Sequence, residues 1–173
     1  ARFKAQARRY RYVVYNSPVR PALLHKQVTH IYAALDIPKM MQAAKNFEGT
    51  HNFESFRAAA CQSKQPVRTV SHCRLIQHGA YLVLDIQADG FLHHMVRNIM
   101  GCLLEIGQGM YEIDHIDTIF AAEDRKAAGV TVVKPSGQPG AGMVVRVRGT
   151  TSMNGSNDPL YVVDGVPMTD IDF

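Results

Sequence analysis

The sequence predicts an α+β fold: an antiparallel sheet with helices packed on one face, followed by a short tail rich in strands and loops. Three observations lead there. Strand-like and helix-like segments follow one another in the order strand, helix, strand, strand, helix, helix, the arrangement of a sheet covered by helices on one side. Hydrophobic residues make up 46% and charged residues 20% of 173 positions, which suits a chain with a buried core and excludes a wholly disordered one. The composition then changes near Gly129, where a second and shorter segment begins. The length suits one domain, or one domain with an appendage. No apolar run approaches the roughly 20 residues of a membrane-spanning helix. The chain opens at Ala1 on a basic stretch, without an initiator Met or an apolar signal core, and reads as a fragment or a trimmed product.

The first element is Tyr10-Arg11-Tyr12-Val13-Val14-Tyr15, β-branched and aromatic, hence a strand that Asn16-Ser17-Pro18 ends. Asp36-Ile37-Pro38 caps a helix running through Met40, Met41, Ala44 and Phe47 until Gly49 stops it. A second strand covers Arg68 to Ile76, and His78-Gly79 supplies a turn. Beyond it Leu82, Leu84, Ile86 and Ala88 alternate with Tyr81, Val83, Asp85 and Gln87, so the two strands form a hairpin.

From Phe91 to Ile106 the period becomes helical. Met95, Ile99, Cys102, Leu103 and Ile106 form a core stripe, while His94, Arg97, Asn98 and Gly101 fall on another face. Gly101 inside a helix costs about 1 kcal/mol against Ala, which calls for a reason such as close backbone approach. A third helix spans Asp114 to Lys126, with Ile116, Ile119 and Phe120 inward.

Charge is one-sided. Residues 1–128 hold 16 Lys and Arg against 11 Asp and Glu, a net of +5, and residues 129–173 hold 3 against 4, a net of −1. Seven basic residues, Arg2, Lys4, Arg8, Arg9, Arg11, Arg20 and Lys26, precede the first acid, Asp36. Such a start suits a polyanion, nucleic acid above all, or else a solvated basic edge strand. Cys61, Cys73 and Cys102 are odd in number and far apart, without a C-x-x-C pair. Reduced structural thiols in a cytosolic protein fit better than a disulfide framework or a zinc ribbon.

Four runs then carry a family resemblance: Ala1-Arg2-Phe3; Ala7-Arg8-Arg9-Tyr10-Arg11-Tyr12; Phe53-Glu54-Ser55-Phe56-Arg57; and Phe91-Leu92-His93-His94-Met95-Val96-Arg97-Asn98-Ile99-Met100-Gly101. Together they resemble the tRNA pseudouridine synthase A family, continuously over residues 1–128 and over its C-terminal half only. The last run is highly specific. The family's R-T-D-A-G-V-type loop, which bears the catalytic aspartate, is not in this sequence.

The resemblance implies uridine-to-pseudouridine isomerisation in the anticodon stem-loop of tRNA, without a cofactor, by a cytoplasmic enzyme that is a homodimer when intact. It further implies that Arg97 is the arginine that pairs with the aspartate, and that Tyr10 is the aromatic ring packed on the extruded base. Without the aspartate loop the chain alone is expected to be inactive. Arg8, Arg9, Arg11, Arg57 and Arg68 are candidate phosphate contacts, with exposed surface charge as the alternative. His93, His94 and Asn98 are candidate RNA contacts, packing being the alternative for the histidines. Adjacent histidines do not share a helix face and no spaced carboxylate assists them, so no metal site is expected.

The second segment resembles something else. Val130-Thr131-Val132-Val133, Met143 to Val147 and Leu160 to Val163 read as strands, separated by turn-rich loops. Pro135 to Gly142 lacks the G-K-[ST] ending and following helix of a phosphate loop. Ser136-Gly137-Gln138-Pro139-Gly140, Val145-Arg146-Val147-Arg148-Gly149-Thr150 and Asn157-Asp158-Pro159-Leu160-Tyr161-Val162-Val163-Asp164-Gly165-Val166-Pro167 resemble part of the plug of SusC-like TonB-dependent outer-membrane receptors. A membrane enters only if that likeness is genuine. The expected division is thus 1–128 and 129–173, with strand 143–147 completing the first sheet and Met143 replacing a family leucine. Three readings compete: half of a synthase with a foreign tail, a receptor-plug fragment with an unrelated leader, or a chimera without a function as a whole.

Overall fold

The computed structural model describes residues 6–21, 28–58 and 61–123, together with the backbone of strands at 130–133, 144–147, 161–163 and 166–168. Strands β1 (Arg8–Asn16), β2 (Thr29–Ile31), β3 (Gly49–Asn52), β4 (Val67–His78) and β5 (Tyr81–Ala88) are followed by β6 (Val130–Val133), β7 (Val144–Val147), β8 (Tyr161–Val163) and β9 (Val166–Met168). Helices α1 (Ile37–Ala44), α2 (Met95–Gly107) and α3 (His115–Ala122) pack with the core of the sheet. The α+β class holds.

The sheet order is β3-β4-β5-β1-β8-β9, with β2 also beside β1. It is mixed rather than antiparallel throughout, because β2 runs parallel to β1 with Val14 opposite Thr29. Parallel neighbours need a connection of about a dozen residues to bring the chain back, and residues 17–28 provide it. Asn16 fastens this pair by donating from Nδ2 to the carbonyls of Ile31 at 3.0 Å and Ala33 at 2.8 Å. β2 and β3 are short, three and four residues, and carry no alternation from which a strand could be read.

The hairpin forms as its sequence dictates. Gly79 takes a left-handed φ of +58° at the turn. Leu82, Leu84, Ile86 and Ala88 are all buried. Asp36 caps α1 by accepting from the Lys39 N–H at 3.0 Å. α1 itself stops at Ala44, a 3₁₀ turn covers Lys45–Phe47, and Gly49 follows at φ +111°.

Helix α2 starts at Met95, later than its periodicity suggests, because His94 holds a left-handed φ of +61°. It is buried all round: Arg97 is the one residue of Met95–Gly107 that is not. Asn98 and Gly101 therefore lie in the core, not on a separate polar face. Close approach is clearest at Gly107, where an added Cβ would run into the Met40 side chain. α1 and α2 cross there. α3 ends at Ala122, before the expected Lys126, and Glu123 turns the chain with φ +46°. The thiols of Cys73 and Cys102 are free and buried; burial, with Glu105 nearby, pushes Cys102 up to about 12.

In the second segment β7 pairs with β6, Val144 opposite Val133, in a separate two-stranded sheet. Strand 143–147 therefore does not complete the first sheet as expected; among the described residues β8 meets β1 instead, with Val162 opposite Arg11. A β-branched strand takes whichever edge the connection lets it reach, and β6 is the nearer one in sequence. Met143 lies outside the described residues.

Candidate active site and RNA-facing surface

Alternation along β1 sorts its cluster of basic and aromatic residues. Tyr12 and Val14 are buried under the helices, so Tyr10 and Arg8 share that side, while Arg9 and Arg11 face the open side. Tyr10 is half-buried and meets Phe91 edge-on, ring centroids 4.8 Å apart. Phe91 opens the turn that leads through His93 and His94, their rings 3.9 Å apart, into α2 and Arg97. Burial, and then the charge of Arg97, hold His93 below its ordinary pKa. The structure thus pairs Tyr10 with Phe91, and His93 with the charge of Arg97, on either side of the turn that enters α2.

More arginines converge there. A Cβ placed on Gly90 would lie 3.5 Å from Arg68 Nε and 3.9 Å from Arg8 Nη1, so both guanidiniums reach this glycine. Arg68 Nη2 donates to Ser63 Oγ at 2.8 Å, and Arg57 Nη1 to the Ser63 carbonyl at 3.0 Å. Arg57 also pairs with Glu54 at 2.8 Å. Arg8, Arg57 and Arg68 therefore form one array around Gly90 and Ser63. Arg2, Lys4 and Lys26 lie outside the described residues.

Three polar ties fix the Phe53–Ala58 segment against this end. Ser55 Oγ donates to the Ile119 carbonyl at 2.8 Å, the Ala58 N–H to the His93 carbonyl at 2.9 Å, and Asn98 Nδ2 to the Phe56 carbonyl at 2.7 Å. Asn98 is 0% exposed. This corrects its assignment as an RNA contact: a side chain sealed in the core cannot reach a ligand, and its amide serves the backbone instead.

Arg9 and Arg11 are also placed differently from the other arginines. Arg9 donates from Nε and Nη2 to the two carboxylate oxygens of Asp85 at 2.6 and 2.7 Å, and Arg11 Nε approaches Asp85 at 3.4 Å. The hydrogen bonds from Arg9, above all, hold the Asp85 carboxyl below its usual pKa. Phe91, Ser63 and Asp85 carry roles here that sequence reasoning did not assign. Only Asp85 left a signal, as an acid on the polar side of a strand whose neighbours are basic. Among the described residues no group of three or more His, Cys, Asp or Glu could hold a metal ion, and no helix is long and apolar enough to cross a membrane.

Comparison with known proteins gives this arrangement its class. A family model of tRNA pseudouridine synthase matches residues 43–139. The chain belongs to that family. Over 131 residues, 76% of the chain, it is 86% identical to tRNA pseudouridine synthase A of Acinetobacter baumannii (strain AYE), covering 49% of that protein. The same stretch is 82% identical to tRNA pseudouridine synthase A of Acinetobacter baylyi, covering 48% of it, and 53% identical to that of Pseudomonas aeruginosa, covering 46%. The chain spans about half the length of the curated relatives it matches. The family match runs past residue 128, and none of these matches supports a receptor plug over 129–173.

Proposed function

We propose that this chain is the part of a tRNA pseudouridine synthase that receives the extruded uridine. The observation that carries the reading is the position of Arg97. On a helix otherwise buried from end to end, it is the residue left unburied, within electrostatic reach of His93 and inside the run most specific to the family. A guanidinium orients a carboxylate with a two-pronged geometry. Tyr10, supported edge-on by Phe91, offers a ring for the displaced base. Arg8, Arg57 and Arg68 hold the flanking phosphates.

The reaction is an isomerisation and balances without a co-substrate. The N1–C1′ bond breaks, the base turns, a C5–C1′ bond forms, and the proton leaving C5 is made up at N1. The nucleophilic aspartate comes from the half of the family's chain that this sequence does not match, so residues 1–173 alone form no pseudouridine. The substrate class supports a cytoplasmic working enzyme, and the family resemblance supports a homodimer.

The test is a graft. The matching 131 residues of the A. baumannii synthase are replaced by those of this chain, and pseudouridine is measured in an unmodified tRNA transcript. The graft is expected to turn over, and Arg97→Ala to lose about 10²–10³-fold in rate, as when a positioned electrostatic partner is removed. Undiminished turnover by the Arg97→Ala graft overturns the reading. For residues 129–173, sequence likeness alone supports a plug-like origin. We carry it as a proposal of chimeric ancestry, tested by sequencing the source DNA across residues 126–133.

A further inference from the structure

The open face of the sheet has no part in the site just described, yet it carries an organised charge cluster. Asp85 lies on central strand β5 with Arg11 directly opposite on β1 and Arg74 directly opposite on β4. Arg9 reaches it diagonally, from a position opposite Gln87. The carboxylate is 3% exposed, whereas Arg9 and Arg11 are 51% and 57% exposed. The two arginines thus lie over the acid and present their outer faces to solvent. Arg74 is exposed and forms no ion pair among the described residues. Three cations meet one anion, leaving a local excess of two positive charges.

Desolvating the carboxylate offsets much of what its ion pairs contribute, so stability alone is a weak reason for this arrangement. A buried carboxylate that orients Arg9 and draws in Arg11 leaves their outward donors set for phosphate oxygens, which arginine matches in geometry. We propose that this open face is a second RNA-backbone surface, with Asp85 as the positioning residue that holds Arg9 and Arg11 for phosphates and Arg74 as a third contact. The proposal rests on the family reading above and extends it to the side of the sheet away from Tyr10 and Arg97. Its occupant is the sugar–phosphate backbone of structured RNA, matched by charge complementarity.

The experiment titrates this chain with an unmodified tRNA transcript over a range of salt concentrations. Wild type is compared with Asp85→Asn, Asp85→Glu and Arg74→Gln, each checked for folding by circular dichroism. Arg74→Gln is expected to weaken binding about threefold to tenfold and to reduce the salt slope by about one. Asp85→Asn is the sharper case. It adds a positive charge, so bulk electrostatics requires tighter binding; loss of positioning requires weaker binding, with recovery in Asp85→Glu. Tighter or unchanged binding by Asp85→Asn overturns the positioning role. An unchanged affinity and slope in Arg74→Gln overturns the surface itself, and decides the question should Asp85→Asn fail to fold. If wild type binds no RNA at low salt, the proposed function falls with it; if wild type binds and these variants do not differ, only this inference falls.

Discussion

The two faces of strand β1 use the same residue types for opposite ends. On the helix side, Tyr12 and Val14 vanish into the core and only Arg8 and Tyr10, at the strand's beginning, stay clear of full burial, where the proposed site lies. On the open side, Arg9 and Arg11 stay in solvent, and it is the acid between the strands, Asp85, that is buried. Placing basic residues alternately at Arg8, Arg9 and Arg11 therefore distributes one linear cluster over two surfaces. Burial on the first face is the work of apolar packing, while on the second Asp85 is covered by the arginines it pairs with. Changes to the two faces should differ accordingly.

The largest effect is expected from Phe56→Ala. Phe56 is fully buried, with ring centroids 5.3 Å from Phe47 and 5.4 Å from Phe120. Truncating such a side chain costs about 3–5 kcal/mol, to be read as a fall in the urea midpoint. Arg74→Gln on the open face should stay within about 0.5 kcal/mol in the same experiment. Similar losses for both would erase the distinction between the faces.

Next comes Asn98→Ala, which leaves the buried Phe56 carbonyl without its donor and should cost about 1–3 kcal/mol. Thermal unfolding checks it; a neutral result would mean that water replaces the amide.

Acid sharpens the comparison further. The folded pKa of Asp85 is depressed, so the stability it contributes is present above the ordinary carboxylate value and is lost as pH falls through the folded value. Wild type and Asp85→Asn should therefore converge in stability as the pH is lowered, wild type losing more. Parallel curves would show that the carboxylate contributes nothing through its charge.

The smallest effect lies at the family site. His93 is held below 6.5 first by burial and then by Arg97. Arg97→Met removes the lesser cause, so the His93 resonance should titrate at a higher pH than in wild type while staying below 6.5. In wild type, stability falls as pH drops below the ordinary histidine value, because the unfolded chain takes up the proton more readily. An unmoved or lowered pKa would separate Arg97 from His93 and weaken the proposed site.

Much of the fold was legible because it is built from strong periodic signals. The Leu82–Ala88 alternation, the Asp36 cap and the Met95–Ile106 stripe each encode an element locally. The parallel partner β2 and the edge strand β3 were not legible, since three or four residues pair through the backbone and are too few to show a side-chain period. Asn98 misled for a related reason: a helical period shows which residues share a face but not that every face is covered. Arg9 and Arg11 could be read as basic, whereas Asp85 beneath them depends on strand register, which only the folded sheet supplies.

The division of labour between the two faces is tested most directly by the arginine Nε–H resonances of this chain, followed by NMR while an unmodified tRNA transcript is added at low salt. Arg9, Arg11 and Arg74 are expected to shift together with Arg8, Arg68 and Arg97, as one RNA engages both sides of the sheet. Movement confined to Arg8, Arg68 and Arg97 at saturation would contradict this and reduce the Asp85 cluster to a structural ion pair.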